Sequence, residues 1–164
     1  AQLTDLPFYT NWAYAHPPAI ELASTLAEMA PGSLNRSFFV GSGSEAVETA
    51  WKLARQYHAV RGERRWKVIA RRYAYHGTAM GALSINGIPG LRAPWEPLVP
   101  GVTHVWNTNR YHRPPEETEA EFTAFLLEDL RQAIIQADPT QVAMVIMEPA
   151  IVLSTRLAPS APPV

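Results

Sequence analysis

The stretch from Pro17 to Ala30, PPAIELASTLAEMA, sets Ile20, Leu22, Ala23, Leu26, Ala27 and Met29 on one broad apolar face. Proline at its start and Pro31-Gly32 just past its end supply helix start and stop signals. From Glu45 to Val60, apolar Ala46, Ala50, Leu53, Tyr57 and Val60 recur at steps of three and four, which predicts a second amphipathic helix. A third is predicted within EETEAEFTAFLLEDLRQAIIQADP, marked by Phe122, Phe125, Leu126, Leu130, Ala133 and Ile134 and stopped near Pro139.

Strands are predicted at Trp66 to Ala70 (WKVIA), Val102 to Trp106 (VTHVW) and Val142 to Met147 (VAMVIM). The last two carry little or no charge, as strands covered on both faces do. RSFFV, from Arg36 to Val40, reads as a strand or as a buried approach to the loop after it. Strands alternating with helices imply an α/β layer, with a largely parallel sheet and no internal repeat. INGIPGLRAPWEPLVP, Ile85 to Pro100, holds four prolines and two glycines, which predicts a long loop of functional or interface use rather than a regular element. The tail LSTRLAPSAPPV is expected to be irregular too.

Composition narrows the function classes. A chain of 164 residues with 47% hydrophobic residues can bury one core. A net charge of −1 offers no footprint for nucleic acid. The absence of cysteine excludes disulfides, thiol nucleophiles and thiolate metal sites. AQLTDLPFYTNW is unlike a signal peptide, and no run reaches the roughly 18 apolar residues of a membrane span, so a cytoplasmic protein with no membrane partner is expected. The histidines at 16, 58, 76, 104 and 112 show no spacing that converges on a metal. Trp51, Trp66, Trp95 and Trp106 read as core or interface residues, and RGERR at 61–65 as a solvated turn.

The chemistry concentrates in VGSGSEAVETAWK, residues 40–52. Gly41 and Gly43 permit close approach of a ligand, Ser42 and Glu45 have capping-box spacing, and Ser42 and Ser44 add hydroxyls beside the free amides of a helix N-terminus. Those amides and the helix dipole favour an anion, phosphate above all. The bland alternative is a glycine turn and a capped helix. A nucleotide P-loop is excluded because the loop has no lysine. A dinucleotide fingerprint stays open: Gly41, Gly43 and Ala46 fit G-x-G-x-x-A, and Arg71-Arg72 end the next strand, where a 2′-phosphate would sit. The third reading is pyridoxal phosphate.

That reading comes from a resemblance. LPFY, HPPAIELA, LNRSFFVGSGSEAVETAWKLARQYH, KVIARRYAYHGTAMGALS, PWEPLVPGVTHVWNTNRYH and MEPA occur in the order they take in the class III (omega) aminotransferases of fold type I, which the chain resembles from Leu6 to Ala150. The resemblance implies part of the large domain that binds pyridoxal 5′-phosphate, with α/β/α layers around a mostly parallel sheet. It implies phosphate binding by Ser42, Gly43 and Ser44, stacking of Tyr75 on the pyridine ring, and a wall shaped by His76 and Gly77. Glu148 would lie near cofactor and substrate, and Phe8, Tyr9 and Trp12 would line the substrate entrance at a dimer interface. Implied partners are an amine or amino acid donor, a keto acid acceptor and, at full length, a second copy of the chain. Residues 1–37 would form an N-terminal segment with an interface helix, 38–150 part of the large domain, and 151–164 a divergent or truncated tail.

The chemistry of that cofactor needs a lysine to hold its aldehyde as a Schiff base and an acidic partner for the ring nitrogen. Lys52 and Lys67 are the only lysines, and neither matches the family's catalytic lysine; Asp5, Asp129 and Asp138 do not match its ring-nitrogen aspartate. The sequence thus reads as the first portion of an aminotransferase, with no catalytic residue of its own. After Ala150 the likeness weakens, which suggests truncation with a shifted reading frame. The alternative is a noncatalytic product that binds phosphate weakly or associates with a full-length subunit.

Overall fold

The computed structural model describes residues 2–5, 15–110 and 113–148, and the chain divides into two compact units, Ala1–Gly41 and Ser42–Val164. The first unit holds a short helix α1 (Gln2–Asp5) and helix α2 (Pro17–Met29). Proline opens α2 at a position whose N–H has no acceptor in any helix, and Gly32 follows its end at φ +62°. RSFFV is neither strand nor buried: it forms no regular element, and Phe38 is 68% exposed. Among the described residues no strand pairs with it, and an apolar segment without a ladder partner has no reason to become one.

The second unit runs α3 (Gly43–Val60), β1 (Lys67–Arg71), α4 (Met80–Ile85), α5 (Pro89–Arg92), β2 (Val102–Val105), α6 (Glu119–Gln136) and β3 (Val142–Val145). The strands form one sheet in the order β2-β1-β3, with both pairings parallel. Val68 lies opposite Val102 on one side and Met144 on the other. Alternate residues of β1 therefore feed two cores. Val68 and Ala70 meet Trp51, Val47 and Ile85 on one face; Ile69 meets Val105, Leu130, Ala133 and Ile134 on the other. Helices on both faces explain why the interior of β1, Val68 to Ala70, is apolar throughout. Ile69 is fully buried, and truncating a side chain so placed costs about 2–5 kcal/mol.

The face of α3 that packs is not the expected one. Val47 and Trp51 turn to the sheet, and the Trp51 indole N–H donates to the Trp66 carbonyl at 2.9 Å. Leu53, Tyr57 and Val60 are more than half exposed. Two apolar stripes share this helix, and the larger ring with a backbone acceptor in reach takes the core. Nor is 85–100 simply a loop. It contains α5 and a 3₁₀ turn at Ala93–Trp95, each with a proline in its opening positions, where the missing donor costs nothing. RGERR is more than a solvated turn as well. Glu63 accepts from Arg65 at 2.8 Å and pairs with His58 at 2.7 Å, while Arg65 also donates to the Pro139 carbonyl.

Candidate active site

The three strands end together, and the segments leaving β1 and β3 hold Tyr75, His76, Gly77 and Glu148. After β1 the chain passes through Tyr73, in the left-handed region at φ 60°, to Tyr75, His76 and Gly77. Gly87 locks this passage against the end of α4: the Tyr73 N–H donates to the Gly87 carbonyl and the Gly87 N–H to the Ala74 carbonyl, both at 2.8 Å. A Cβ on residue 87 would lie 2.0 Å from the Arg71 carbonyl oxygen, so only glycine allows the approach.

Ser42 caps α3, its Oγ accepting the Glu45 N–H at 3.2 Å and its carbonyl accepting the Ala46 N–H at 3.0 Å. The Gly43 and Ser44 amides belong to the first turn, where helical geometry provides no acceptor. Ser44 Oγ accepts the Thr78 N–H at 3.0 Å, which ties this loop to the turn after β1. Each hydroxyl accepts through a lone pair and keeps its own proton to donate. A Cβ on Gly43 would meet nothing within 4 Å, so the loop is uncovered at that position.

Two supports went unread in the sequence. Helix α4 has Ala79 at its N-cap and no capping side chain of its own; Glu48 of α3 fills that role, Oε1 accepting the Gly81 N–H at 2.8 Å and the Ala82 N–H at 3.3 Å. Asn86, fully buried, donates from Nδ2 to the Gly77 carbonyl at 3.1 Å and accepts the Ile88 N–H at 3.0 Å. A carboxylate and an amide thus fix the wall of the site from behind.

His76 is buried, and its Nε2 has no partner among the described residues. Burial holds its imidazole below the usual range; Glu148 opposes that effect and Arg71 adds to it. Tyr75 is half-exposed, and its backbone N–H donates to Glu148 Oε1 at 3.1 Å. Ser44, Gly77 and Thr78 are thereby joined at one end of the segment, Tyr75 and Glu148 at the other. Phe8, Tyr9 and Trp12 lie outside the described residues.

Neither lysine belongs to this edge of the sheet. Lys67 opens β1 at its opposite end, where Nζ donates to the Ala137 carbonyl at 2.7 Å, and Lys52 lies exposed along α3. The histidines diverge: His58 binds Glu63 and the Ala143 carbonyl, and His104 binds the Ile85 carbonyl at 3.0 Å. Among the described residues no group of His, Asp and Glu could hold a metal ion. No helix among them is long and apolar enough to cross a membrane.

The family description "Aminotransferase class-III" matches residues 1–154. The chain belongs to the class-III aminotransferases. It is 49% identical over 149 residues to a probable aminotransferase of Mycobacterium tuberculosis, covering 90% of this chain and 32% of that protein. With the putrescine–pyruvate aminotransferase of Pseudomonas aeruginosa it shares 35% identity over 150 residues, 90% of this chain and 33% of the relative. Among solved structures, an (S)-enantioselective omega-transaminase from Thermomicrobium roseum superposes with a TM-score of 0.83 at 38% identity, over 88% of this chain and 33% of that one. The omega transaminase of Pseudomonas jessenii in complex with PMP gives 0.86 at 35% identity, over 90% and 33%. The chain spans about a third of the length of these class-III aminotransferases.

The fold is that of the fold type I transaminases, as expected. Membership removes the dinucleotide reading. Arg71, which that reading would aim at a 2′-phosphate, is buried and turned toward Thr108 and Glu148, and the Arg72 guanidinium lies 4.9 Å from the Trp106 ring centroid.

Proposed function

We propose that this chain supplies the phosphate-binding loop and one wall of the cofactor site of a pyridoxal 5′-phosphate-dependent aminotransferase, which moves an amino group from an amine or amino acid to a keto acid. The observation that carries the reading is the bond from the Thr78 N–H to Ser44 Oγ, which joins an open helix N-terminus to the Tyr75–Gly77 turn.

The residues present fit the group. The Gly43 and Ser44 amides with the Ser42 and Ser44 hydroxyls would hold its phosphate, supported by the dipole of an 18-residue helix. The half-exposed Tyr75 ring would stack on the pyridine, His76 and Gly77 would bound the same side, and Glu148 would face cofactor and substrate. When bound, pyridoxal phosphate supplies a ring that accepts electrons from the substrate carbon losing a proton. Phe8, Tyr9 and Trp12 are assigned to the substrate entrance by resemblance alone. A second copy of the parent chain is the proposed protein partner, supported by the exposed Leu53, Tyr57 and Val60 stripe on α3.

The placement of Lys52 and Lys67 favours a second reading for these 164 residues taken alone: they bind phosphate without turning over. Titration with pyridoxine 5′-phosphate, which has no aldehyde to react with stray lysines, tests the site. Ser42→Ala and Ser44→Ala are expected to weaken binding about tenfold each, as loss of a hydrogen bond to a charged group does. Equal binding of pyridoxine without its phosphate, or indifference to both substitutions, would overturn the assignment.

A further inference from the structure

Arg71 is only 4% exposed, and among the described residues no carboxylate pairs with it. A buried cation without a counter-ion is costly unless hydrogen bonds replace its water. Arg71 finds those bonds on both sides of the sheet. It is the last residue of the central strand; Nη1 donates to Thr108 Oγ1 at 2.5 Å, in the segment leaving β2, and Nη2 donates to the Glu148 carbonyl, in the segment leaving β3. One guanidinium therefore spans the ends of all three strands. Glu148 is held a second time, because its side-chain Oε1 accepts the Tyr75 N–H.

We infer that Arg71 is a positioning residue: by gripping the Glu148 backbone it sets where the Glu148 carboxylate meets Tyr75, and so shapes the site wall without touching a ligand. The inference rests on the function proposed above for the identity of that wall, though its geometry does not. A planar fork is needed. Two donors pointing to opposite neighbours suit a guanidinium, whereas a lysine ammonium at this position reaches one partner and not both. Thr108 is the passive arm, fixing the fork so that its other prong points at Glu148. Nε has no partner among the described residues, so the two outer prongs carry the hydrogen bonds of this guanidinium.

Hydrogen–deuterium exchange at single amides, measured on the full chain without ligand, tests this. Arg71→Met and Glu148→Ala should each speed exchange of the Tyr75 amide about tenfold, the loss expected for a hydrogen bond to a charged acceptor. The double variant should show no further increase, because both act through one bond. Arg71→Lys keeps the buried charge and is the safer variant for folding; it should speed Tyr75 while leaving the Val68 and Ile69 amides of β1 at their wild-type rates. A Tyr75 rate unmoved by both Arg71→Met and Arg71→Lys would overturn the inference. So would equal acceleration of Val68, Ile69 and Tyr75, which marks general loosening of the sheet. Failure of pyridoxine 5′-phosphate to bind the wild-type chain would sink the function proposed above and leave the exchange comparison to decide the clamp.

Discussion

Ser44 and Gly77 sit in contact so close that residue 77 has no room to grow: a Cβ there would lie 2.5 Å from Ser44 Oγ, and Gly77 holds φ at +118°. Gly77→Ala therefore has to strain the backbone and push the loop at once. We expect a loss of about 1–3 kcal/mol in urea denaturation, together with weaker binding of pyridoxine 5′-phosphate. An unchanged midpoint would mean that the turn yields easily and that the loop is not held by it.

Asn86 acts on the same turn from the interior. Asn86→Ala leaves the Gly77 carbonyl and the Ile88 N–H without their partners in a site closed to water. The expected cost is about 2–4 kcal/mol, since each unsatisfied buried group loses its hydration for nothing. Denaturant melts would measure it, and a loss below that range would show that water reaches the vacated space.

The 164-residue chain is expected to show no amino transfer from an amine donor to pyruvate. Lys67→Met should leave binding of pyridoxine 5′-phosphate unchanged, because its ammonium serves the Ala137 carbonyl at the end of α6. It should lower stability by about 0.5–1.5 kcal/mol, as loss of a cation at a helix C-terminus does. Turnover that survives replacement of Lys52 and Lys67 together would contradict the assignment of the site.

Stability should fall with pH in two separate steps. Burial holds His76 and His104 below their ordinary range. The unfolded chain then binds protons first as pH drops below about 6.5, so stability declines from there and levels once the folded values are passed. Glu63, Glu121, Glu128 and Asp138 are held low by hydrogen bonds, to His58, Thr118, Gln132 and Thr140 respectively. What they contribute is present above the unfolded carboxylate range and is lost below about pH 4. Thermal melts of the His76→Gln, His104→Gln double variant should lose the upper step and keep the lower one. Persistence of the upper step would locate the proton uptake elsewhere.

The long periodic elements are legible to within about three residues: α2, α6 and the three strands fall close to where spacing and stop signals put them. Helix α4 was not, because Ala82, Leu83, Ser84 and Ile85 are all buried and a short segment covered on every side shows no period. The Ser42–Ser44 loop was legible because a helix start needs its cap locally. Glu48, Arg71 and Asn86 act on residues far along the chain or through side chains that sequence treats as interchangeable. Arg71 is the clearest case: at the end of a strand its charge suggested an outward anion ligand, and only the positions of Thr108 and Glu148 turn it inward.

The sheet order also fixes a sequence of events in time. Among the described residues each outer strand pairs only with β1, so neither has a ladder partner here before β1 is in place. As the chain leaves the ribosome, β1 and β2 emerge well ahead of α6, yet Ile69 faces Leu130, Ala133 and Ile134 of that helix. Synthesis must pass residue 136 before this face can close. A ribosome that pauses between β2 and α6 would present the Ile69 face uncovered, an apolar surface of the kind chaperones shield.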